Sequence, residues 1–171
     1  MITVTLDRPW LMARLPRPLR VLSWAPHAPG YVTTDHVVWR EVRNADLALD
    51  FDVETWFADQ MTRHPGAVGM MTSRDIGTFV QRRAVVDGIT ADCLCTLGLS
   101  NAESVGRRLP WHPAEYGTIN LMVATDAALT ETAMLEALSI AVQARTAGVM
   151  AAGLQLATGL ATGTGTDCVA L

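Results

Sequence analysis

The sequence predicts an α+β fold: a layered sandwich, built as a single domain, in which a largely antiparallel or mixed sheet is packed by helices. Strand-like segments fill the first third of the chain, and the longest helical pattern comes late, so the two element types are largely segregated. The chain has 171 residues, of which 50% are apolar and 18% charged, enough for one buried core.

The first third predicts an antiparallel meander. Ile2, Val4 and Leu6 alternate with polar residues, as in a half-buried strand. Strands are expected over Trp10–Leu15 and Leu19–Ser23, separated by Pro16 and Pro18, because proline cannot donate to a sheet ladder. A loop follows at Pro26, Pro29 and Gly30, and another strand starts at Val37 and ends near Val42.

The middle of the chain mixes one helix with further strands. Asp52 is a good N-cap for a helix over Val53–Arg63, which Pro65 and Gly66 end. Short strands are expected over Ala67–Thr72 and Thr118–Thr125, and at the end of the sequence over Cys168–Leu171. Two further strands are predicted over Arg83–Ile89 and Ala91–Leu99, around a turn at Asp87-Gly88.

The clearest helix runs from about Thr130 to Val149. One polar stripe steps along it by three and four residues: Thr132, Glu136, Ser139, Gln143 and Thr146. Small residues predict close packing at Ala133, Ala137, Ala141, Ala144 and Gly148. We expect Ala133, Ala137 and Ala141 to face inward, and Glu136 and Gln143 to face outward or toward a cleft.

Composition narrows the function classes. All 13 basic residues are arginines, the net charge is −4, and no basic stripe appears, so nucleic-acid partners are not expected. The uncharged segment over Thr146–Thr166 is rich in Thr and Gly, which favours buried soluble structure over a membrane span. The N-terminus has no apolar signal segment, so a cytoplasmic protein is predicted.

Metal and disulfide sites are not expected. His27, His36, His64 and His112 have no ligand spacing. Cys93, Cys95 and Cys168 are odd in number and do not form a CxxC motif, which favours reduced thiols and no disulfide.

The most distinctive segment is Ala-Thr-Gly-Thr-Gly-Thr-Asp, residues 161–167. Glycine permits close backbone approach, threonine hydroxyls donate and accept, and an ionised aspartate accepts only. A polar turn beside a strand end is a common place for a ligand. A flexible loop near a terminus is the alternative interpretation, and the segment alone does not decide between them.

The order of segments resembles the adenosylcobinamide amidohydrolase family. Residues 67–72 (AVGMMT) are similar to a Val-Gly-Leu-Leu-Thr strand, and residues 116–129 (YGTINLMVATDAAL) to a Gly-Thr-Ile-Asn strand with a Thr-Asp loop. Residues 19–30 (LRVLSWAPHAPG) are similar to the opening strand and loop, and residues 96–107 (TLGLSNAESVGR) to a Gly-Leu-Ser/Gly-Asn-Pro element. The Ala/Leu helix and ATGTGTD complete the series.

The resemblance implies hydrolysis of the amide that joins aminopropanol to the corrin side chain, giving adenosylcobyric acid in cobamide salvage. It implies a small-molecule corrinoid substrate, no separate cofactor, no nucleic-acid or membrane partner, and leaves a homo-oligomer open. The domain is expected to cover residues 1–171 and to lack a C-terminal segment of the family.

Polar residues inside the matching segments are the candidate site, because amide hydrolysis needs an activated nucleophile, a proton donor and oxyanion donors. Asp167 is the candidate base, and Thr164 or Thr166 the nucleophile or an oxyanion donor. Asn101 and Asn120 would orient the amide or stabilise the oxyanion, and His27 would be the acid. For Asn120 the alternative is a buried side chain that bonds neighbouring backbone. The predicted substrate contacts are Gly163, Gly165, Ser100, Ser23 and Trp24.

Two other functions stay open: a corrinoid- or nucleotide-binding module without catalysis, and a hydrolase of a different small amide. Release of aminopropanol from adenosylcobinamide separates these three hypotheses.

Overall fold

One mixed sheet organises the fold. The computed structural model describes residues 1–43, 51–109 and 117–171. Its strands are β1 (Thr3–Asp7), β2 (Trp10–Ser23), β3 (Gly30–Glu41), β4 (Val68–Thr72), β5 (Val80–Val86), β6 (Ile89–Leu97), β7 (Ala102–Glu103), β8 (Ile119–Thr125), β9 (Gln155–Leu156), β10 (Gly159–Leu160), β11 (Gly163–Thr164) and β12 (Cys168–Ala170). The helices are α1 (Val53–Met61) and α2 (Glu131–Ala151).

The main sheet has the order β4-β3-β2-β12-β8-β6-β5, with β1 added on β2. Most neighbours are antiparallel, whereas the β3–β4 and β8–β12 pairs are parallel. β7 pairs with β11, and β9 with β10, in two small separate sheets. This mixed sheet with two helices confirms the predicted α+β fold.

The sheet curls, so that β4 approaches β8 although several strands separate them in the sheet. The Asn120 side-chain amide on β8 donates to the Met71 carbonyl on β4 at 2.7 Å. The larger core lies on the inner face and includes Leu11, Trp39, Met70, Leu94, Met122 and Cys168.

The two helices pack on the opposite face of the sheet. Phe57 and Met61 of α1 contact Trp10 and Val38. Ala141 of α2 packs against β8 and β12 at Leu121 and Val169. The sheet therefore has its main apolar core on one face and both helices on the other.

Local signals in the sequence place several elements well. The Asp52 carboxylate accepts from the Thr55 N–H at 3.0 Å, so the predicted N-cap is confirmed. The Thr130 hydroxyl accepts from the Ala133 N–H at 3.2 Å and caps the long helix where its start was predicted. The predicted hairpin turn is also confirmed, because Asp87 and Gly88 have φ of 51° and 80°.

Two predictions in the first third are wrong. β2 is one strand through Pro16 and Pro18, because the prolines lie at a bulge between Arg14 and Leu19 where the β3 register shifts. β3 starts at Gly30 rather than Val37, because Gly30 pairs directly with Ser23.

The small-residue stripe on α2 is confirmed only in part. Ala141 is buried, and Ala133 and Ala137 are partly buried, whereas Glu136 and Gln143 are exposed as predicted. Ala144 and Gly148 are exposed, because the packed face of α2 follows Met134, Ala141 and Val149 instead. Among the described residues, none of the helices is long and apolar enough to cross a membrane.

Candidate active site

The candidate site is built around the Thr-Gly loop, which we define as residues 163–167. β11 opens this loop and pairs with β7, with Gly163 opposite Glu103 and Thr164 opposite Ala102. β12 follows the loop directly and lies in the middle of the main sheet. The loop is therefore held at both ends, which contradicts the alternative of a loosely attached terminal segment.

Four donors hold the Asp167 carboxylate. Oδ1 accepts from the Ile119 N–H at 3.1 Å and from the Thr164 hydroxyl; Oδ2 accepts from the Thr164 N–H at 2.9 Å and from the Arg145 guanidinium. The Asp167 side chain is only 5% exposed and that of Arg145 15%. This carboxylate ties helix α2, the loop and strand β8 together.

Close packing explains Gly163. A Cβ on Gly163 would lie 2.6 Å from the Asp167 Oδ2 atom, so a larger residue would displace the carboxylate. A Cβ on Gly165 would lie 3.2 Å from the Glu103 Oε2 atom, the end of a flexible side chain. The two glycines were predicted together, but the space around Gly163 is the more restricted.

The Thr166 hydroxyl lies at the exposed side of the loop and joins a polar cluster. It donates to the Gly117 carbonyl at 2.8 Å, lies 2.8 Å from the Thr118 hydroxyl, and accepts from the Asn101 amide at 3.4 Å. The absence of a side chain at Gly117 lets Ser100 and Asn101 pack against it, because a Cβ there would lie 2.7 Å from the Ser100 hydroxyl and 2.8 Å from the Asn101 Oδ1 atom. Of the two candidate threonines of the loop, Thr166 is thus the exposed one, whereas Thr164 is half-buried.

The predicted residues of the opening loop have different environments. The exposed Trp24 ring donates from Nε1 to the Asp167 carbonyl at 2.8 Å, which brings this loop against residues 163–167. Ser23 is buried at 5% exposure, and its hydroxyl accepts from the Ala25 N–H at 3.3 Å. Ser23 therefore shapes the turn, while Trp24 borders the site.

His27 and Asn120 lie toward β4. The backbone of His27 pairs with Gly69, and its ring lies 6.2 Å from the Phe57 ring. Asn120 is 1% exposed and directs its amide to Met71, in agreement with the alternative of a buried side chain that bonds backbone. In the described residues, no hydrogen bond or ring contact links His27 to the Thr-Gly loop.

Three buried oxygens near this end of the sheet have no protein partner in the described part of the chain: Asn101 Oδ1, Asn120 Oδ1 and Thr96 Oγ1. Thr96 lies opposite Asn120 in the β6–β8 register, so two of these oxygens belong to neighbouring side chains. Buried polar atoms usually have a partner, and water or substrate groups would satisfy these ones.

Sequence reasoning missed Arg145 and Thr118. One signal for Arg145 is present: it is the last charge before the uncharged segment over 146–166, and Asp167 is the next charge after that segment. The two charges that flank this segment form the ion pair in the structure. Thr118 carries no such signal, because only the fold brings it beside Thr166.

The histidine and cysteine side chains of the described residues do not have the grouping of a metal site or the reactivity of a catalytic thiol. Among the described residues, no three His, Cys, Asp or Glu side chains are grouped to hold a metal ion; His112 lies outside them, as does Trp111. Burial raises the pKa of both the Cys95 and Cys168 thiols to about 12, and all three cysteines are free. These thiols are therefore poor nucleophiles at neutral pH.

The comparison with protein families places this chain in a class of amide hydrolases. Residues 2–171 match the adenosylcobinamide amidohydrolase family (CbiZ), essentially the whole chain. The chain therefore belongs to that family, and the resemblance seen in the sequence is confirmed. A comparison with curated proteins finds no match.

Proposed function

We propose that the protein hydrolyses the amide that joins 1-amino-2-propanol to the corrin side chain of adenosylcobinamide. Water adds to the amide carbonyl, the C–N bond breaks, and the nitrogen leaves as the protonated amine while the corrin keeps a carboxylate. The products are adenosylcobyric acid and 1-amino-2-propanol, in a cytoplasmic step of corrinoid salvage. The family match supports the general activity.

One observation about this chain carries the proposal: distant segments that resemble the family meet at the Thr-Gly loop. Trp24 contacts Asp167, Asn101 contacts Thr166, and the Ile119 N–H binds the Asp167 carboxylate. These contacts join residues that are 143, 65 and 48 positions apart in the sequence, respectively. A shared substrate-binding site would explain why these distant segments meet at one loop.

Within this site we assign Thr166 and Asn101 to the substrate amide. Thr166 is exposed and its hydroxyl is oriented by Thr118 and Gly117, so its oxygen is suited to attack the amide carbonyl. Its one O–H can donate to the amide carbonyl only when it exchanges the bond to the Gly117 carbonyl for one to the substrate. Asn101 offers an amide donor to Thr166 and a buried Oδ1 without a protein partner.

Asp167 is better suited to positioning than to general-base catalysis. Both of its oxygens already accept from the Ile119 and Thr164 N–H groups, the Thr164 hydroxyl and Arg145. A base needs an accessible lone pair near the proton that it removes. We therefore assign Asp167 and Arg145 to holding the loop, with Thr166 as the residue that contacts substrate.

His27 remains our candidate for the acid that protonates the leaving amine, and Asn120 for a second contact to the corrin side chain. His27→Gln keeps the size of the ring roughly and removes its proton transfer. A specific loss of kcat at unchanged KM would support this assignment, and unchanged kinetics would remove His27 from the mechanism.

The experiment that tests the function is incubation of the purified protein with adenosylcobinamide, with released 1-amino-2-propanol quantified by mass spectrometry. Thr166→Val serves as the site variant and Asp92→Asn as a control outside the site. Release by the wild type and the control, but not by Thr166→Val, is the expected result.

Two other results would contradict the proposal. Binding of the corrinoid without release would favour a non-catalytic corrinoid-binding module. Absence of both binding and release would favour hydrolysis of a different small amide. Loss of activity with a chelator, restored by a divalent ion, would contradict the separate proposal that the reaction needs no metal.

A further inference from the structure

Arg74 lies beside the candidate active site, on the segment that follows β4. Its backbone N–H donates to the Thr72 hydroxyl at 3.1 Å, which fixes the start of this segment. A Cβ on Gly98 would lie 3.6 Å from the Arg74 Cβ atom and 3.2 Å from the Thr118 backbone nitrogen. The exposed Arg74 side chain therefore starts directly over Gly98 and next to Thr118.

Arg74 lies on the same face of the sheet as the hydroxyls of Thr118 and Thr166. Gly98 continues the β6–β8 ladder, since its N–H donates to the Thr118 carbonyl at 3.0 Å. Residues that lie opposite each other in such a ladder direct their Cβ atoms to the same face. The face of Gly98 on which Arg74 packs is thus also the face of the Thr118 side chain, whose hydroxyl lies 2.8 Å from that of Thr166.

One edge of the Arg74 guanidinium is held by the short 3₁₀ turn that precedes β5. Its Nε–H donates to the Thr78 hydroxyl at 3.2 Å, and that hydroxyl donates to the Asp75 carbonyl at 2.7 Å. The Asp75 carboxylate, the nearest acid along the sequence, binds Arg8 and the Gly77 N–H instead. Within the part of the chain that the structure describes, Arg74 forms no ion pair, so its two Nη groups are left to bind an anion.

The neutral donors of the candidate site already make other hydrogen bonds. The Thr166 O–H donates to the Gly117 carbonyl, and the Asn101 amide donates to the Thr166 hydroxyl. The tetrahedral intermediate of amide hydrolysis carries a negative charge on the former carbonyl oxygen, and donors that are already in place stabilise it best. A guanidinium is permanently charged, and its hydrogen bonds are roughly twice as strong as those of neutral donors. Arg74 can supply such a bond without breaking one.

We propose that Arg74 is a catalytic residue that stabilises the oxyanion of amide hydrolysis, an inference that rests on the proposed function. When the nucleophile adds to the amide carbon, the π electron pair of the carbonyl moves to its oxygen, and an Arg74 Nη–H donates to that oxygen. When the C–N bond breaks, the pair on oxygen re-forms the C=O bond, and the nitrogen keeps the C–N pair and takes up a proton. Arg74 loses no proton in either step, and the product carboxylate remains in contact with its guanidinium.

The kinetic test compares Arg74→Gln with Arg82→Gln in the release of 1-amino-2-propanol from adenosylcobinamide. Arg82 is a matched control, because it is an exposed arginine on β5 that donates to the Gln81 carbonyl at 2.8 Å and lies outside the site. Since the oxyanion exists only after the nucleophile has added, Arg74→Gln should lower kcat roughly a hundredfold and leave KM nearly unchanged. Arg82→Gln should keep the kcat and KM of the wild type.

Two further measurements separate contact with the oxyanion from a structural role of Arg74. Arg74→Ala leaves space for a free guanidinium ion, so millimolar guanidinium chloride should restore part of kcat, whereas sodium chloride or urea at the same concentration should not. Arg74→Lys keeps the charge without the planar fork and should retain more activity than Arg74→Gln. Binding of the product, adenosylcobyric acid, should weaken about tenfold in Arg74→Gln, because its carboxylate loses a charged donor.

The outcomes distinguish failure of this inference from failure of the proposed function. If the wild type releases 1-amino-2-propanol and Arg74→Gln does so as fast as Arg82→Gln, the function stands and Arg74 is not the oxyanion donor. A rise in KM alone, or a loss of kcat that guanidinium does not restore in Arg74→Ala, would also overturn the role of Arg74. If the wild type releases no aminopropanol, the proposed function fails, and this inference fails with it.

Discussion

Two buried carboxylates, Asp167 and Asp92, are held in the same way in different parts of the molecule. Each accepts from an arginine and from at least one backbone N–H: Asp167 from Arg145, and Asp92 from Arg83 at 2.6 and 3.1 Å and from the Ile2 N–H at 3.0 Å. Both aspartates are nearly inaccessible, with side-chain exposures of 5% and 1%.

The difference lies in what each carboxylate connects. Asp92 joins neighbouring strands of a regular sheet, since β5 and β6 are already paired at Arg83 and Asp92. Asp167 connects α2 and β8 to a loop that presents Thr166 at the surface. The same set of interactions therefore stabilises a sheet in one case and organises a candidate site in the other.

The largest expected effect is that of Asp167→Asn. It removes the charge that faces Arg145, and breaking a buried ion pair costs about 3 kcal/mol. Since the loop also positions Thr166, we expect kcat to fall roughly a hundredfold in the protein that remains folded. Urea unfolding measures the loss of stability, and steady-state release of aminopropanol measures the fall in kcat.

Asp92→Asn is the matched control for this comparison. It should lower the unfolding free energy and leave kcat per folded molecule unchanged. If both variants alter kcat equally, or neither does, Asp167 has no special role in the site.

The next effect concerns the hydroxyl that Asp167 helps to place. Thr166→Val keeps the shape of the side chain and removes the hydrogen bond to the Gly117 carbonyl. Loss of a donor to the reacting carbonyl typically costs about a hundredfold or more in kcat. Thr162→Val, on the same segment, is the comparison, and a kcat for Thr166→Val near that of wild type would contradict our assignment.

A smaller effect, on the stability of the fold, should distinguish Gly163 from Gly148. Gly163→Ala places a Cβ 2.6 Å from the Asp167 Oδ2 atom and should destabilise the fold by about 1–3 kcal/mol. Gly148→Ala, on α2, meets nothing within 4 Å and should stabilise the helix by up to about 1 kcal/mol. Melting temperatures that move in the same direction would show that space around Asp167 is not restricted.

The smallest expected effect is a pH dependence at Asp92. The hydrogen bond from Arg83 lowers the pKa of the Asp92 carboxyl below its usual value. A lowered folded-state pKa contributes stability above the unfolded pKa of about 3.9, and that stability is lost as pH falls through the folded pKa. The difference in unfolding free energy between wild type and Asp92→Asn should therefore shrink below about pH 4 in urea titrations.

Local sequence signals predicted much of the fold, and long-range contacts explain what they missed. Asp52, Thr130 and the Asp87-Gly88 turn act on residues within a few positions, so their roles were predictable. The continuous β2 strand was not, because proline tolerance depends on a bulge that only pairing with β3 creates.

The same distinction applies to the site. Glycines and threonines in a short segment indicated the candidate site, and the family resemblance supplied the chemistry that we propose for it. The roles were harder to predict, since the carboxylate of Asp167 looked like a base until its four donors were seen. Two of those donors, the Arg145 guanidinium and the Ile119 N–H, belong to residues that sequence spacing does not relate to Asp167.

The central position of β12 has a consequence for the order of folding. Its three residues, Cys168–Ala170, supply the ladder between β2 and β8, strands that are synthesised long before them. Until these residues leave the ribosome, the edges of β2 and β8 that face β12 stay unpaired. Such edges are exposed to aggregation, so the main sheet cannot close before residues 168–170 have been synthesised, unlike a sheet whose central strands come first in the sequence.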